Sequence, residues 1–351
     1  MSRLLIYGAN GYSGRLIVDA AVKRGMKPIV AGRSAKQLAS LGKELGLEHR
    51  SFDLADPAAV KNGLAGIKVV LHCAGPFSAT ALPMLAACIA QRVHYLDITG
   101  EFHVMEDVAA RDADLRAAGV MAMCGVGMDV VPSDCLAAHM KRRMPGAIRL
   151  ELFVRALERL SRGTATSFVE NMGLPNVVRE NGALVERVAG LDRRKMEFSG
   201  DKQVSMVSLP WGDISTAWRT TGIPNIKVYM SLMPGAAQMI RFTGRFRDLF
   251  QSAGMQGFFK RQAQRWISGP SQTYRDKQTA EFVAIASDAA GNTCRSHLVT
   301  KEGYAFTADS ASEIAQRVLD GAAQPGFQTP GGFFGPDFVL EFDGSRRQDI
   351  N

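Results

Sequence analysis

The chain has 351 residues, of which 46% are hydrophobic and 22% charged, a balance that suits packed domains and excludes a disordered or fibrous protein. Its net charge of +8 comes with no helix-turn-helix, zinc finger or RNA-binding sheet signature. We therefore expect no nucleic-acid partner, and an anionic cofactor explains part of the excess.

The opening residues run straight into a strand over 4–7 with no signal-peptide layout, which points to a cytoplasmic location. Further apolar runs at 28–31, 49–53, 69–73, 94–98 and 120–124 alternate with segments of helical period. That alternation predicts an α/β domain over residues 1–132, a Rossmann doubly wound parallel sheet wrapped by helices. The first helix gathers Leu16, Ile17, Ala20 and Ala21 on one face, and Asp56 before Pro57 supplies a cap and first-turn pair for the third.

Between the first strand and its helix lies Gly8-Ala9-Asn10-Gly11-Tyr12-Ser13-Gly14. Glycines here permit a tight turn, close approach of backbone to a diphosphate, and tight packing of helix on strand. The helix start adds N–H groups and a partial positive charge. Gly8, Asn10, Gly11, Tyr12, Ser13 and Gly14 are therefore candidate cofactor contacts. Arg33 stands 19 positions after Gly14, where an NAD-specific domain would carry an acid for the ribose hydroxyls. A guanidinium there can fork onto a 2'-phosphate, so Arg33 with Ser34 selects NADP(H) over NAD(H). Asp53 could accept from the adenine amino group or cap a turn, and Cys73, Ala74, Gly75 and Pro76 give small residues where the fourth strand passes the cofactor.

In open α/β sheets the reacting end of a ligand lies beyond the carboxyl ends of the strands. The segments in question hold Phe77, Ser78 and Thr99, then Asp97, Glu101 and Asp129, with Ser133 following. Asp97, Glu101 and Asp129 are candidate proton shuttles, and Phe77, Ser78, Thr99 and Ser133 candidate substrate contacts. Helix capping is the competing explanation for Thr99, Glu101 and Ser133. None of Tyr7, Tyr12, Tyr95, Tyr229, Tyr274 and Tyr304 has a lysine four positions on, so the Tyr-x-x-x-Lys proton donor is absent. Cys135, with His297 as an imaginable base, could be an activated thiol; a packed, inert one is the favoured view. The histidines show no HExxH spacing and the five cysteines no CxxC pair, so we expect neither a metal nor a disulfide framework.

After Val131-Pro132-Ser133 the texture changes. Leu150, Leu152 and Val154 alternate with Arg149, Glu151 and Arg155, a second such strand covers 226–232, and 279–299 reads as a hairpin across Ala290-Gly291-Asn292. These predict a second α+β domain over 133–305 with a mainly antiparallel sheet, serving substrate binding and homodimerisation. Thr164, Thr166 and Ser167, beside Arg162, are candidate carboxylate holders or ordinary caps. Trp211 and Trp218 could wall a pocket, though core packing is preferred. From 230 to 266 methionines and phenylalanines mix with Arg241, Arg245, Arg247, Lys260, Arg261 and Arg265. A packed helical pair is the favoured reading there, with a lid or a peripheral membrane contact as the others. Residues 310–321 read as a helix with Ser310 and Glu313 as capping box.

Taken together, the Gly8 to Gly14 loop, the Gly32-Arg33 turn, Gly75-Pro76-Phe77 and His94-Tyr95-Leu96-Asp97-Ile98-Thr99-Gly100-Glu101 resemble the saccharopine dehydrogenase-like family. The similarity continues through Gly127-Met128-Asp129, Pro132-Ser133-Asp134, Glu302-Gly303-Tyr304 and Gln328-Thr329-Pro330. This resemblance implies an NADP-binding Rossmann domain, a second domain with an antiparallel sheet, and a segment over 306–351 that returns to the first. It includes saccharopine reductases and trans-acting enoyl reductases. The Asp97 to Glu101 stretch departs from the serine-proline ending of true saccharopine enzymes, which weighs against lysine metabolism. The reading is an NADP(H)-dependent oxidoreductase moving hydride to or from a small carbonyl, imine or enoyl substrate in an interdomain cleft. The alternative is a non-catalytic NADP(H)-binding redox sensor that acts through a protein partner.

Overall fold

Leu4, Leu5, Ile6 and Tyr7 are all buried, as befits a strand covered on both faces, and they form β1 (Leu4–Tyr7) in a computed structural model that describes residues 3–156, 159–199, 203–232 and 235–350. The chain continues through α1 (Tyr12–Lys23), β2 (Ile29–Gly32), α2 (Ala35–Leu45), β3 (His49–Ser51), α3 (Pro57–Gly63) and β4 (Val69–His72). It then forms α4 (Phe77–Gln91), β5 (His94–Asp97), α5 (Phe102–Ala109), α6 (Asp112–Ala118) and β6 (Met121–Met123). Asp56 caps α3 as expected, accepting from the amides of Ala58 and Ala59 with Pro57 in the first turn. The strands pair in parallel, with β1 between β2 and β4. Their apolar residues, among them Leu5, Ile29, Val70 and Tyr95, pack with Met84, Leu85 and Val108 of the helices into one core. Each large aliphatic side chain buried there contributes about 1.5–3 kcal/mol.

The second part begins with α7 (Val131–Arg143) and β7 (Arg149–Arg155), followed by α8 (Arg162–Glu170), β8 (Asn176–Glu180), β9 (Ala183–Arg187), β10 (Arg193–Met196) and β11 (Val204–Ser208). Next come α9 (Asp213–Thr221), β12 (Asn225–Ser231), α10 (Ala236–Arg245), α11 (Arg247–Gln251), α12 (Ala253–Trp266), α13 (Gln272–Arg275), β13 (Thr279–Ser287) and β14 (Thr293–Lys301). The expected hairpin is present: β13 and β14 run antiparallel, and Asp288 closes the turn by accepting from the amides of Ala290 and Asn292. The sheet as a whole is mixed, because β12 lies parallel to β7 within otherwise antiparallel pairings. The long excursion between those two strands is a crossover, and a crossover can bring the chain back in the same direction where a tight turn cannot. At the centre of one face Phe153 stacks on Tyr229 with ring centroids 4.9 Å apart, covered by Met196, Phe198 and Met206.

The chain closes with α14 (Gly303–Leu319), β15 (Gly326–Gln328), α15 (Pro330–Phe334) and β16 (Arg346–Ile350). β15 joins β6 as a seventh parallel strand, giving the order β15-β6-β5-β4-β1-β2-β3. The fold separates into one unit of Met1–Val131 with Tyr304–Pro330 and another of Pro132–Gly303 with Gly331–Asn351. The stretch that goes with the first unit is thus shorter than the 306–351 of the sequence reading. Its last part instead supplies β16, which takes the open edge of β14. The helix read at 310–321 starts at Gly303, and Ser310 is no cap: it lies buried within α14 and donates to the Val126 carbonyl at 2.9 Å.

The packing of α1 on β1 depends on Gly14, where a Cβ would fall 2.1 Å from the Gly8 carbonyl oxygen. Gly14→Ala should therefore destabilise the chain by about 1–3 kcal/mol, measured by urea unfolding. An unchanged midpoint would show that the contact relaxes at no cost.

Candidate functional site

At the carboxyl end of β1 the chain bends through Gly8, whose φ of +86° suits glycine. The Gly8 and Ala9 amides donate to the Ala31 carbonyl at 2.8 and 3.2 Å, and the Gly11 amide donates to the Gly8 carbonyl at 2.9 Å. A Cβ on Gly8 would sit 2.8 Å from the Ala74 nitrogen, so the bend is pressed against the end of β4, the point where strand order reverses. Gly11 is the N-cap of α1 and offers no side chain to cover the helix start, which leaves the positive end of the helix open to an anion. Asn10 is held by its amide donating to Gln37 at 2.7 Å, and the Tyr12 ring meets Tyr304 edge-on at 5.0 Å.

Arg33 follows β2 and is exposed, and among the described residues no carboxylate pairs with it. Ser34 is the N-cap of α2 without using its side chain. Lys36, exposed in the first turn of α2, is a second cation that the sequence reading passed over; its only signal was its place three residues after Arg33. Asp53 spends one oxygen on a turn, accepting from the Ala55 amide at 2.9 Å. Burial and then the nearby Asp53 push the Tyr7 hydroxyl up to about 12 while Arg33 pulls the other way, so both charges lie within electrostatic reach of one strand end. Cys73 is half-buried and its thiol is pushed up by burial and by Asp97, which disfavours the nucleophilic thiolate. The Ala74 and Pro76 carbonyls both accept from the Thr80 hydroxyl, at 2.7 and 3.0 Å, and Gly75 between them is exposed. A crowded glycine bend, an uncovered helix start and an unpaired guanidinium together fit a dinucleotide that carries a 2'-phosphate.

A second cluster lies beyond β5 and β6. Asp97 is fully buried: its Oδ1 accepts from the amides of Thr99 and Gly125 at 3.0 and 2.9 Å, and its Oδ2 from the Tyr95 hydroxyl at 2.8 Å. Burial raises its pKa and those bonds oppose the rise. A carboxylate so enclosed ties two loops together, with donors on both of its oxygens. Thr99, expected as a substrate contact, is 0% exposed and its hydroxyl accepts from the Glu101 amide at 3.0 Å.

Glu101 and Asp129 are different. Glu101 leads into α5 without a side-chain cap bond, accepts from the Ser78 amide at 3.2 Å, and lies 3.5 Å from the His103 ring. A Cβ on Gly100 would sit 3.2 Å from the Asp129 carboxylate, so glycine allows that side chain to lie against the backbone before Glu101. Burial, then repulsion from Glu101, pushes Asp129 up to about 7. A carboxyl group kept protonated near neutrality by burial beside a second carboxylate is a recurring acid/base arrangement. Phe77 is buried edge-on against His72 at 5.4 Å, and Ser78 is exposed. Thr307 was missed entirely: its hydroxyl accepts from the Met128 amide at 3.0 Å and so steadies the loop that carries Asp129.

Ser133, Thr164, Thr166 and Ser167 belong to the other unit. Ser133 is buried in α7. The Thr164 amide donates to Ser161, the N-cap of α8, and the Thr166 hydroxyl donates to the Arg162 carbonyl at 2.8 Å, so these are local helix bonds. Cys135 is buried with its thiol pushed up, and His297 is engaged with Glu281 at 2.8 Å. Among the described residues no group of three or more His, Cys, Asp or Glu is placed to hold a metal ion.

Residues 4–123 match the family model described as saccharopine dehydrogenase NADP binding domain. Trans-acting enoyl reductases of Mycobacterium leprae (strain TN) and Mycobacterium ulcerans (strain Agy99) are 28% and 29% identical over 149 and 150 residues. Those matches cover 40% of this chain and only 36% and 35% of the relatives' own length. A saccharopine dehydrogenase (L-Glu forming) from Saccharomyces cerevisiae covers 100% of both chains with a TM-score of 0.68 at 12% identity, which shows a shared fold. The resemblance read from the glycine loop and the 94–101 segment is supported on each count, and the cofactor it points to is NADP(H).

The folded chain holds the Asp129 proton to about pH 7, against 3.8 for an ordinary aspartate. Stability should therefore fall as pH rises through that window and level off above it. Urea unfolding across the window should show the slope in the native chain and lose it in Asp129→Asn; a slope that persists in the variant would assign it to another group.

Proposed function

We propose that this chain is an NADP(H)-dependent oxidoreductase acting on a small carbonyl, imine or enoyl substrate. The observation that carries the reading is the Glu101 and Asp129 pair, one of which keeps its proton near neutrality, in a unit whose residues 4–123 match an NADP-binding family. NADP(H) supplies or accepts the hydride when bound.

The residues divide the work as follows. The open start of α1 at Tyr12, Ser13 and Gly14 holds the diphosphate, with Gly8, Asn10 and Gly11 shaping the bend that lets it approach, and Arg33, with Ser34 and Lys36, takes the 2'-phosphate. Asp53 accepts from the adenine amino group with the oxygen its turn does not use. Cys73, Ala74, Gly75 and Pro76 form the wall beside the ribose, and Phe77 and Ser78 border the substrate. Asp129 delivers a proton to the substrate atom that gains negative character, or removes one in the reverse direction. After burial, repulsion from the neighbouring Glu101 carboxylate keeps the affinity of Asp129 for its proton high.

Two variants and a substrate screen test this. NADPH oxidation is followed against 2-oxo acids, the same acids with amino acids present, and enoyl compounds. Arg33→Ala should weaken NADPH about 10-fold while leaving NADH almost unchanged, the loss expected of one charge-assisted bond. Asp129→Asn should lower kcat about 10²–10⁴-fold with NADPH affinity kept, and should remove the break near pH 7 from the rate profile. Equal weakening of both coenzymes would remove the role of Arg33. Tight NADPH binding without turnover on any of these substrates would overturn the enzymatic reading in favour of a sensor.

A further inference from the structure

The second unit presents a surface that neither the fold nor the proposed reaction uses. Met239, Phe242, Phe246 and Leu249 recur at spacings of three and four residues across α10 and α11, and all are exposed, Phe242 by 58% and Leu249 by 55%. Phe242 and Phe246 lie with ring centroids 4.9 Å apart, so the stripe is continuous there. Val188 and Leu191, also exposed, extend it from the loop after β9, which is pressed onto α10: a Cβ on Gly190 would sit 2.6 Å from the Ala237 carbonyl. Apolar surface of this extent, made of adjoining side chains, marks an interaction site more often than does scattered exposure.

Charge identifies the partner. Between 236 and 266 the sequence holds Arg241, Arg245, Arg247, Lys260, Arg261 and Arg265 against the single acid Asp248. Lys260 pairs with Glu170 at 2.7 Å, but among the described residues none of the five arginines meets a carboxylate. Elsewhere the chain pairs its arginines freely, as at Arg15 with Asp19 and Arg142 with Asp337. At the end of α12 Trp266 is 74% exposed, with the Arg265 guanidinium 5.4 Å from its ring centre. Its inner edge borders an apolar hollow of about 340 Å³ between α8 and α12, lined by Phe168, Val169, Phe259 and Ile267 among others. Apolar and aromatic side chains flanked by unneutralised arginines match the boundary between acyl chains and anionic headgroups, where each cation near the surface adds about 1 kcal/mol.

We propose that α10 to α12 form an in-plane docking surface for an anionic lipid bilayer, with the Met239 to Leu249 stripe inserted and the arginines at headgroup level. The surface acts without any helix that spans: among the described residues none is long and apolar enough to cross a membrane.

Sedimentation of the full chain with phosphatidylcholine vesicles, with and without phosphatidylglycerol, tests this. Anionic vesicles should bind at least about 10-fold more tightly than neutral ones, a ratio that high salt abolishes as surface charges are screened. Phe242→Ser with Phe246→Ser, and separately Arg241→Gln with Arg245→Gln, should each weaken binding about 10-fold while far-UV circular dichroism and NADPH affinity stay unchanged. All four side chains are exposed, so folding need not suffer. No sedimentation with anionic vesicles at low salt, or undiminished binding by both variants, would overturn the proposal. So would a dimer by light scattering that Phe242→Ser dissociates, since a second copy would then own the stripe.

Discussion

The first unit rests on a close approach of backbone to backbone where β1 and β4 end. Gly8 touches Ala74 and Gly14 touches Gly8, with no room for a Cβ at either glycine. Side chains are excluded from that spot, so the N-terminus of α1 is bare and its dipole faces outward. The same crowding that fixes the packing of helix on strand leaves open the helix start that we propose as the anion site. Arg33 stands at the next strand end, unpaired among the described residues, where a second phosphate charge would lie.

The rim chemistry follows from how differently three carboxylates are surrounded. Asp97 has backbone and phenolic donors on both oxygens and serves the architecture, locking the ends of β5 and β6 together. Asp129 is partly buried beside Glu101, and repulsion adds to desolvation, so it holds a proton where an isolated aspartate would not. Thr307 reaches across from α14 to fix the loop between them and β6, which makes a late segment of the chain part of the early domain's site. Our proposal of acid/base chemistry depends on this division of labour rather than on the number of acids at the rim.

Much of this was legible in the chain itself. Strands buried on both faces announce themselves as apolar runs, and a glycine loop between strand and helix has few other uses, so the parallel sheet and its ligand end could be read directly. β15 could not: Gly326, Phe327 and Gln328 make no apolar run and become a strand only because β6 leaves an edge to pair with. The start of α14 was hidden for a similar reason, since a polar residue in mid-helix, Ser310, imitates a cap until its buried carbonyl partner at Val126 is seen. Sequence could also gather Asp97, Thr99, Glu101 and Asp129 without ranking them, because rank depends on which amides and hydroxyls converge on each side chain. Exposure of the Phe242 stripe was equally out of reach, as helical spacing does not say which face meets the core.

Hydrogen–deuterium exchange over residues 8–16, with and without NADPH, examines the glycine bend most directly. Amides of the bend and the first turn of α1 should exchange markedly more slowly once the coenzyme is present, and NADH at equal concentration should protect them far less. Unaltered exchange through this stretch at saturating supply of both coenzymes would contradict the anion site on which the rest is built.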